Sequence, residues 1–168
     1  MRHLSLAAGT LTGGALVMLL ACTGPAPGEI EAAELEAVTE IEAILTAQSE
    51  DWSRGDIESF TSAYDDECLY LSPSGRVDGR AALTARYRER YPGREGMGTL
   101  RLEIIEMRPA YLVNRQFFGL LRSSDIGGVS VAARWHLSWP DREPDSGYTL
   151  IVFRRTPAGW RIVQDASM

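Results

Sequence analysis

The spacing of apolar residues changes from a helical period to a period of two near residue 96, and this change constrains the fold more than any other feature. Before it, apolar side chains recur three or four residues apart, as on one face of a helix. After it, apolar and polar residues alternate along several segments, as in half-buried strands. Helices followed by a run of strands predict an α+β fold in which the sheet packs against the helices.

Three helices are expected in the first half of the chain. The first spans residues 31–53 and the third spans residues 79–91. Between them, a short helix begins after a cap at Asp56 and ends at Asp65 and Asp66. The first helix presents one apolar stripe with a single polar member, made of Leu35, Val38, Ile41, Leu45, Gln48 and Trp52. The polar member, Gln48, either satisfies a hydrogen bond in the core or lines a cavity.

The second half of the chain alternates as strands do, with turn residues between the segments. Strands are predicted at residues 69–72, 100–107, 111–121, 129–139, 148–155 and 160–166. Cys68 lies beside the first of these strands among apolar residues, which favours a role as a small buried hydrophobe.

The composition narrows the function classes. A length of 168 residues suits one globular domain, and a formal net charge of -6 disfavours a general nucleic-acid binder, which is usually basic. The chain has no lysine, which excludes Schiff-base chemistry. Its two cysteines and two histidines are too few for a metal site built from several such ligands. We expect no nucleic-acid partner, no metal and no cofactor.

The N-terminal segment has the features of an export signal. Arg2 is followed by a short apolar run over residues 16–21, which is too short to span a bilayer well. The run ends in Leu19-Leu20-Ala21-Cys22, which resembles the lipobox of bacterial lipoproteins. The resemblance implies cleavage after Ala21 and acylation of Cys22, and hence a protein anchored in the lipid bilayer of a bacterial cell envelope. The alternative is an ordinary secretory signal in which the cysteine is incidental.

These features divide the chain into three segments. Residues 1–21 are the expected lipoprotein signal peptide. Residues 22–30 are the lipidated cysteine and a flexible tether that is rich in proline and glycine, and residues 31–168 are the folded domain. In a Gram-negative cell the anchored domain is expected on the periplasmic face of the membrane.

A series of short motifs runs in a fixed order through residues 33–168. They are Trp52-Ser53-Arg54-Gly55-Asp56, Tyr64-Asp65-Asp66, Tyr91-Pro92, Met97-Gly98-Thr99-Leu100, Trp135-His136-Leu137, Ser146-Gly147-Tyr148-Thr149-Leu150 and Gly159-Trp160-Arg161-Ile162-Val163. In this order they resemble the nuclear transport factor 2-like superfamily, in particular its SnoaL-like branch, many of whose bacterial members are domains of unknown function. The resemblance implies a cone in which three N-terminal helices pack on a strongly bent, mostly antiparallel sheet. It also implies a pocket at the open end and a homodimer.

Two departures from these relatives matter. An extra segment lies around residues 110–124, between two of the predicted strands. The chain also ends in Asp165-Ala166-Ser167-Met168, where relatives tend to carry a histidine after the aspartate. After cleavage of the signal, His136 is therefore the one remaining histidine.

Ketosteroid isomerases are the best-understood enzymes of this superfamily, and their catalytic positions are not kept here. The resemblance places the isomerase tyrosine at Gln48, the base at Ser72, and the proton-donating aspartate near Thr149 or Leu150. That mechanism needs a carboxylate base and two proton donors. Isomerase chemistry of this kind is therefore disfavoured.

Three hypotheses for the function remain. The first is a domain that binds a small hydrophobic molecule in a pocket lined by Gln48, Trp52, Tyr64, Tyr70, Tyr87 and Trp135. The second is an acid–base lyase, isomerase or cyclase-like enzyme that uses Asp165 and His136. His136 and Trp135 are neighbours on a strand, so just one of them faces the pocket. The third is a dimerising interaction module that uses the exposed face of the sheet. The scarcity of catalytic groups favours the first.

Overall fold

The computed structural model describes residues 27–111 and 126–168. The helices in these ranges are α1 (Pro27–Arg54), α2 (Ile57–Ser62), α3 (Arg80–Arg90) and α4 (Arg94–Met97). The strands are β1 (Tyr64–Ser72), β2 (Gly75–Asp78), β3 (Thr99–Tyr111), β4 (Ile126–Ser138), β5 (Asp145–Thr156) and β6 (Gly159–Ser167). The predicted signal, Cys22, nearly all of the predicted strand at 111–121 and nearly all of the extra segment at 110–124 lie outside the described residues.

One curled sheet of six strands carries the fold, in the order β2-β1-β6-β5-β4-β3. β1 runs parallel to β6, and every other neighbouring pair is antiparallel. The helices precede and cover the long strands β3 to β6 instead of alternating with them. The predicted α+β class, with helices packed on a mostly antiparallel sheet, is confirmed.

α1 packs one face against the sheet. Its buried residues are Ala37, Ile41, Leu45, Gln48 and Trp52. The inclusion of Leu35 in the buried stripe is wrong, since Leu35 is 68% exposed and the helix directs Ala37 inward at this end. The helix also begins at Pro27, inside the predicted tether of residues 22–30. Proline is favoured in the first turn of a helix, where its missing N–H has no partner to lose.

The short second helix starts as predicted and ends early. Asp56 caps α2 by accepting the backbone N–H of Ser59 at 2.9 Å. The helix ends at Ser62, and Tyr64 is already the first residue of β1. The prediction that the helix continues to Asp65 is therefore wrong, because parallel pairing with β6 draws this segment into the sheet.

The helix predicted at 79–91 is α3, whereas β2 and α4 are absent from the predictions. β2 has four residues and a single apolar one, so it gives little alternation to detect. Cys68 lies within β1 and is 1% exposed, which confirms its predicted role as a buried hydrophobe.

A polar contact fixes the middle of α1 on the sheet, about three turns before Trp52. The Oε2 atom of Glu40 accepts hydrogen bonds from Nε1 of Trp160 at 2.7 Å and from Nη1 of Arg155 at 2.9 Å. These bonds join the helix to both β5 and β6. Within residues 27–111 and 126–168, no helix combines the length and apolar character that crossing a membrane requires.

Gly98 lies between α4 and β3 at a position that excludes a side chain. Its φ is 72°, and a Cβ there would lie 2.5 Å from Nε1 of Trp139 and 2.8 Å from the carbonyl oxygen of Ser138. Gly98→Ala is expected to lower the free energy of unfolding by about 1–3 kcal/mol. Urea unfolding measures this, with Gly93→Ala as the control, since no described atom lies within 4 Å of a Cβ at Gly93. Equal effects of the two variants would contradict the conclusion that position 98 excludes a side chain.

Candidate functional site

A cavity of about 370 Å³ opens where the C-terminal turns of α1 meet α3 and the inner face of the sheet. This volume is within the range of pockets that hold small molecules. All six residues predicted to line a ligand pocket do line this cavity: Gln48, Trp52, Tyr64, Tyr70, Tyr87 and Trp135. The buried residues of α1 thus change from aliphatic to polar and aromatic as the helix reaches the cavity.

Aromatic rings form the helical side of the cavity. The Trp52 ring makes edge contacts with Phe60, Tyr87 and Tyr91, at centroid distances of 5.0, 5.5 and 5.0 Å. Such edge-to-face pairs are favourable beyond the area that they bury. The Nε1 atom of Trp52 donates to the carbonyl oxygen of Met97 at 2.9 Å, so the indole has no unsatisfied donor. The rings therefore form a fixed apolar wall.

Gln48 and Trp135, two further residues of the cavity wall, differ in whether their side-chain N–H groups have a hydrogen-bond partner. Gln48 donates through Nε2 to the carbonyl oxygen of Phe60 at 3.0 Å, so it both satisfies a core hydrogen bond and lines the cavity. Trp135 lines the opposite wall, and its buried Nε1 has no hydrogen-bond partner among the described residues. Gly147 leaves room for this ring, because a Cβ at Gly147 would collide with it.

Asp165 lies inside the cavity, 5% exposed, and is held by three hydroxyl groups. Tyr64 donates to Oδ2 at 2.7 Å, while Thr149 and Ser167 donate to Oδ1 at 2.7 and 2.9 Å. These partners lie on β1, β5 and β6, so they come from the sheet and not from a neighbouring loop. The carboxylate is a fixed polar point in an otherwise largely aromatic cavity.

Burial controls the ionisation of these groups. It raises the pKa of the Asp165 carboxyl above its usual value, although the hydrogen bonds from Thr149, Tyr64 and Ser167 oppose the shift. Burial, together with the nearby Asp165 charge, raises the pKa of Tyr64 well above its usual range. Burial and the neighbouring Tyr70 do the same to the pKa of Tyr87. The two phenols therefore stay neutral at physiological pH.

His136 lies on the outer face of the sheet. Its Nε2 is 3.2 Å from Oε2 of Glu103 on the neighbouring strand, while Trp135 occupies the cavity side of β4. Adjacent residues of a strand face opposite sides, which separates His136 from Asp165. The predicted acid–base pair of Asp165 and His136 is therefore wrong.

The cavity also contains residues that were not predicted to line a ligand pocket. The lining residues that keep contact with solvent define its mouth, and the polar ones include Ser72, Ser74, Arg86, Arg90 and Asp145. Arg86 and Arg90 are four residues apart on α3, which places them on one face of the helix, and this spacing is the signal that could have found them. Among the described residues, no three His, Cys, Asp or Glu side chains are grouped closely enough to hold a metal ion.

Comparison with known proteins identifies the fold. No family model matches the sequence, and no curated protein matches it. A nuclear transport factor 2-like protein of unknown function from Shewanella oneidensis is 22% identical, with a TM-score of 0.63 over 77% of this chain and 97% of that one. A ketosteroid isomerase-like protein from Erwinia carotovora is 17% identical, with a TM-score of 0.58 over 79% and 95% of the two chains. A protein from Novosphingobium aromaticivorans, provisionally named a scytalone dehydratase, is 11% identical, with a TM-score of 0.58 over 82% and 86%.

These similarities show that the chain has the nuclear transport factor 2-like fold, and they show the fold alone. Three of the positions that resemble isomerase catalytic positions, Gln48, Ser72 and Thr149, do line the cavity. They supply an amide and two hydroxyls where the isomerase mechanism needs a base and donors. Leu150, the other candidate for the aspartate position, is on the outer face and 47% exposed.

The raised pKa of Asp165 gives the stability a defined pH dependence. Because the folded pKa is above the unfolded one, the folded state holds this proton more tightly, and stability falls as pH rises from about 4 through the folded pKa. The slope due to this one group is at most about 1.4 kcal/mol per pH unit. Asp165→Asn is expected to remove this contribution to the fall in stability above about pH 4, which urea unfolding at a series of pH values measures.

Thr149→Val tests the same titrating group and is expected to change the pH dependence of stability in the opposite direction. Loss of its hydrogen bond removes an interaction that lowers the pKa of Asp165, so the fall in stability should extend to higher pH. An unchanged pH profile in both variants would show that Asp165 is not the titrating group.

Proposed function

We propose that this protein binds a small, largely apolar molecule in its cavity and does not use an acid–base pair to transform it. The observation that carries the proposal is the cavity of about 370 Å³ with a wall of interlocked aromatic rings. Those rings are already packed against one another, and the Trp52 indole is hydrogen-bonded, so little ordering is needed when a ligand enters. Separation of His136 from Asp165 also supports binding over catalysis.

Asp165 gives the proposed ligand a preferred orientation. Its Oδ1 accepts two hydrogen bonds from described residues and its Oδ2 accepts one. A carboxylate has about four acceptor sites, so Oδ2 can take a further donor. A hydroxyl or amide N–H at the inner end of the ligand would satisfy this site, while the apolar body lies against Trp52 and Tyr87.

The cellular location in which binding takes place is proposed from the sequence. Acylation of Cys22 would hold the domain at a bilayer of the cell envelope, exposed to molecules in that compartment. The lipobox-like Leu19-Leu20-Ala21-Cys22 supports this location.

Binding is tested with the neutral fluorescent probe N-phenyl-1-naphthylamine, titrated into the purified full chain. Leu137 lines the cavity, whereas its neighbour His136 does not. Leu137→Trp should fill part of the cavity and weaken probe binding about tenfold. His136→Ala should leave the dissociation constant unchanged. Failure of the wild type to bind the probe, or equal effects of the two variants, would overturn the proposal.

A second candidate function, formation of a dimer, is favoured by the outer face of the sheet. Strand registers place Leu71, Ala166, Leu150 and Ala132 in one row across β1, β6, β5 and β4. Leu71 is 41% exposed and Leu150 is 47% exposed. An apolar row on a sheet face is self-complementary when a second copy packs on it through a two-fold axis. This candidate is compatible with ligand binding, because the row faces away from the cavity.

Leu150→Arg should place a charge in the centre of this row and abolish the dimer. Sedimentation velocity over a range of protein concentrations measures the effect. Thr46→Arg introduces the same side chain at an exposed position of α1 and should leave association unchanged. A wild-type chain that sediments as a monomer at every concentration would contradict this candidate.

A further inference from the structure

The mouth of the cavity is basic on the α3 side. Arg86 and Arg90 are one helical turn apart, and both line the opening. The hydroxyls of Ser72 and Ser74 lie beside them on the turn that joins β1 to β2. Resting on the proposed binding function, we infer that the ligand is an amphipathic organic anion, whose carboxylate or similar group binds Arg86 and Arg90 while its apolar body fills the cavity.

The pairing of the arginines on α3 supports this inference. Arg80 forms an ion pair with Asp66, and Arg88 forms one with Glu58. Within the part of the chain that the structure describes, neither Arg86 nor Arg90 has a carboxylate within ion-pair distance. Arg86 and Arg90, the two arginines of α3 that line the cavity, are therefore available to bind an anionic group of a ligand.

Both guanidinium groups are held in place without being neutralised. Arg86 donates through Nη2 to Oγ of Ser72 at 3.2 Å and to Oγ of Ser74, and it lies 5.8 Å from the centroid of the Tyr70 ring. Arg90 lies 5.6 Å from the centroid of the Tyr91 ring. Each arginine has five N–H donors, so these contacts leave donors for an anion. Because the side chains are already positioned, binding orders them less.

The acidic groups of the cavity fix which end of the ligand is outermost. Asp165 is buried at the inner end, where no arginine among the described residues lines the cavity to balance an anion. Asp145 lies at the mouth, and its Oδ1 accepts the backbone N–H of Ser146 at 2.8 Å. Among the described side chains at the mouth, two arginines face a single carboxylate, that of Asp145, so the α3 side of the mouth has net positive charge. An anionic group is therefore favoured at the solvent end and disfavoured at the inner end.

Two matched probes test the inference. N-phenyl-1-naphthylamine and 8-anilinonaphthalene-1-sulfonate share the same rings, and the second adds one sulfonate. In the double variant Arg86→Gln and Arg90→Gln, binding of the sulfonate probe should weaken about five- to tenfold, while binding of the neutral probe changes less than about twofold. Asp145→Asn removes the opposing charge and should strengthen the sulfonate probe about twofold. Arg88→Gln, on the same helix but paired outside the cavity, is the control and should change neither.

The outcomes separate this inference from the proposed function. If the wild type binds both probes and the double variant binds the sulfonate probe as tightly as before, the anionic specificity is overturned while apolar binding stands. An equal loss of both probes in the double variant would indicate a structural role of the arginines and also overturn it. If the wild type binds neither probe, the proposed function itself fails.

Discussion

The packing of one helix across a curled sheet is the constraint on which the rest of the structure depends. Ile41 and Leu45 of α1 are fully buried against the sheet, and Glu40 fixes the helix to β5 and β6 through Trp160 and Arg155. A turn further on, the buried residues become Gln48 and Trp52, whose side-chain N–H groups donate to backbone carbonyls. Because these hydrogen bonds fix the two side chains on the side away from the cavity, the side chains line the cavity without filling it. The cavity is a consequence of this change along a single helix.

Inside the cavity, the carboxyl group of Asp165 is buried beside an apolar surface, and its hydrogen bonds reduce the free-energy cost of this burial. A buried carboxylate without a cation is unfavourable unless hydrogen bonds compensate it. Tyr64, Thr149 and Ser167 provide that compensation from three strands, which also ties β1 to the β5–β6 hairpin. The same fold in other proteins supports catalysis with differently placed groups, so the function of this chain follows from its side chains and not from its architecture.

The sequence predicted the fold well because each long element has a clear period. Gln48 was recognisable because it is the one polar side chain on the apolar stripe of α1, whereas the aromatic residues of the cavity were expected from the resemblance to the superfamily. The face occupied by His136 could not be predicted, since alternation says that Trp135 and His136 differ but not which one is inside. The partners of Asp165 depend on strand register, which joins residues far apart in sequence. Tyr64 was assigned to a helix because its spacing from Phe60 fits one, and pairing with β6 overrode that local signal.

The length of α1 also determines how far the cavity could lie from a membrane. Pro27 begins the helix and Gln48 lines the cavity, a separation of about 30 Å along the axis at 1.5 Å per residue. If Cys22 is acylated, the first turn of α1 would stay near the headgroups, because the five steps from Cys22 to Pro27 reach no further than about 18 Å. When α1 points away from such an anchor, the domain would present its opening to the aqueous space and would collect ligand from solution instead of from the lipid phase.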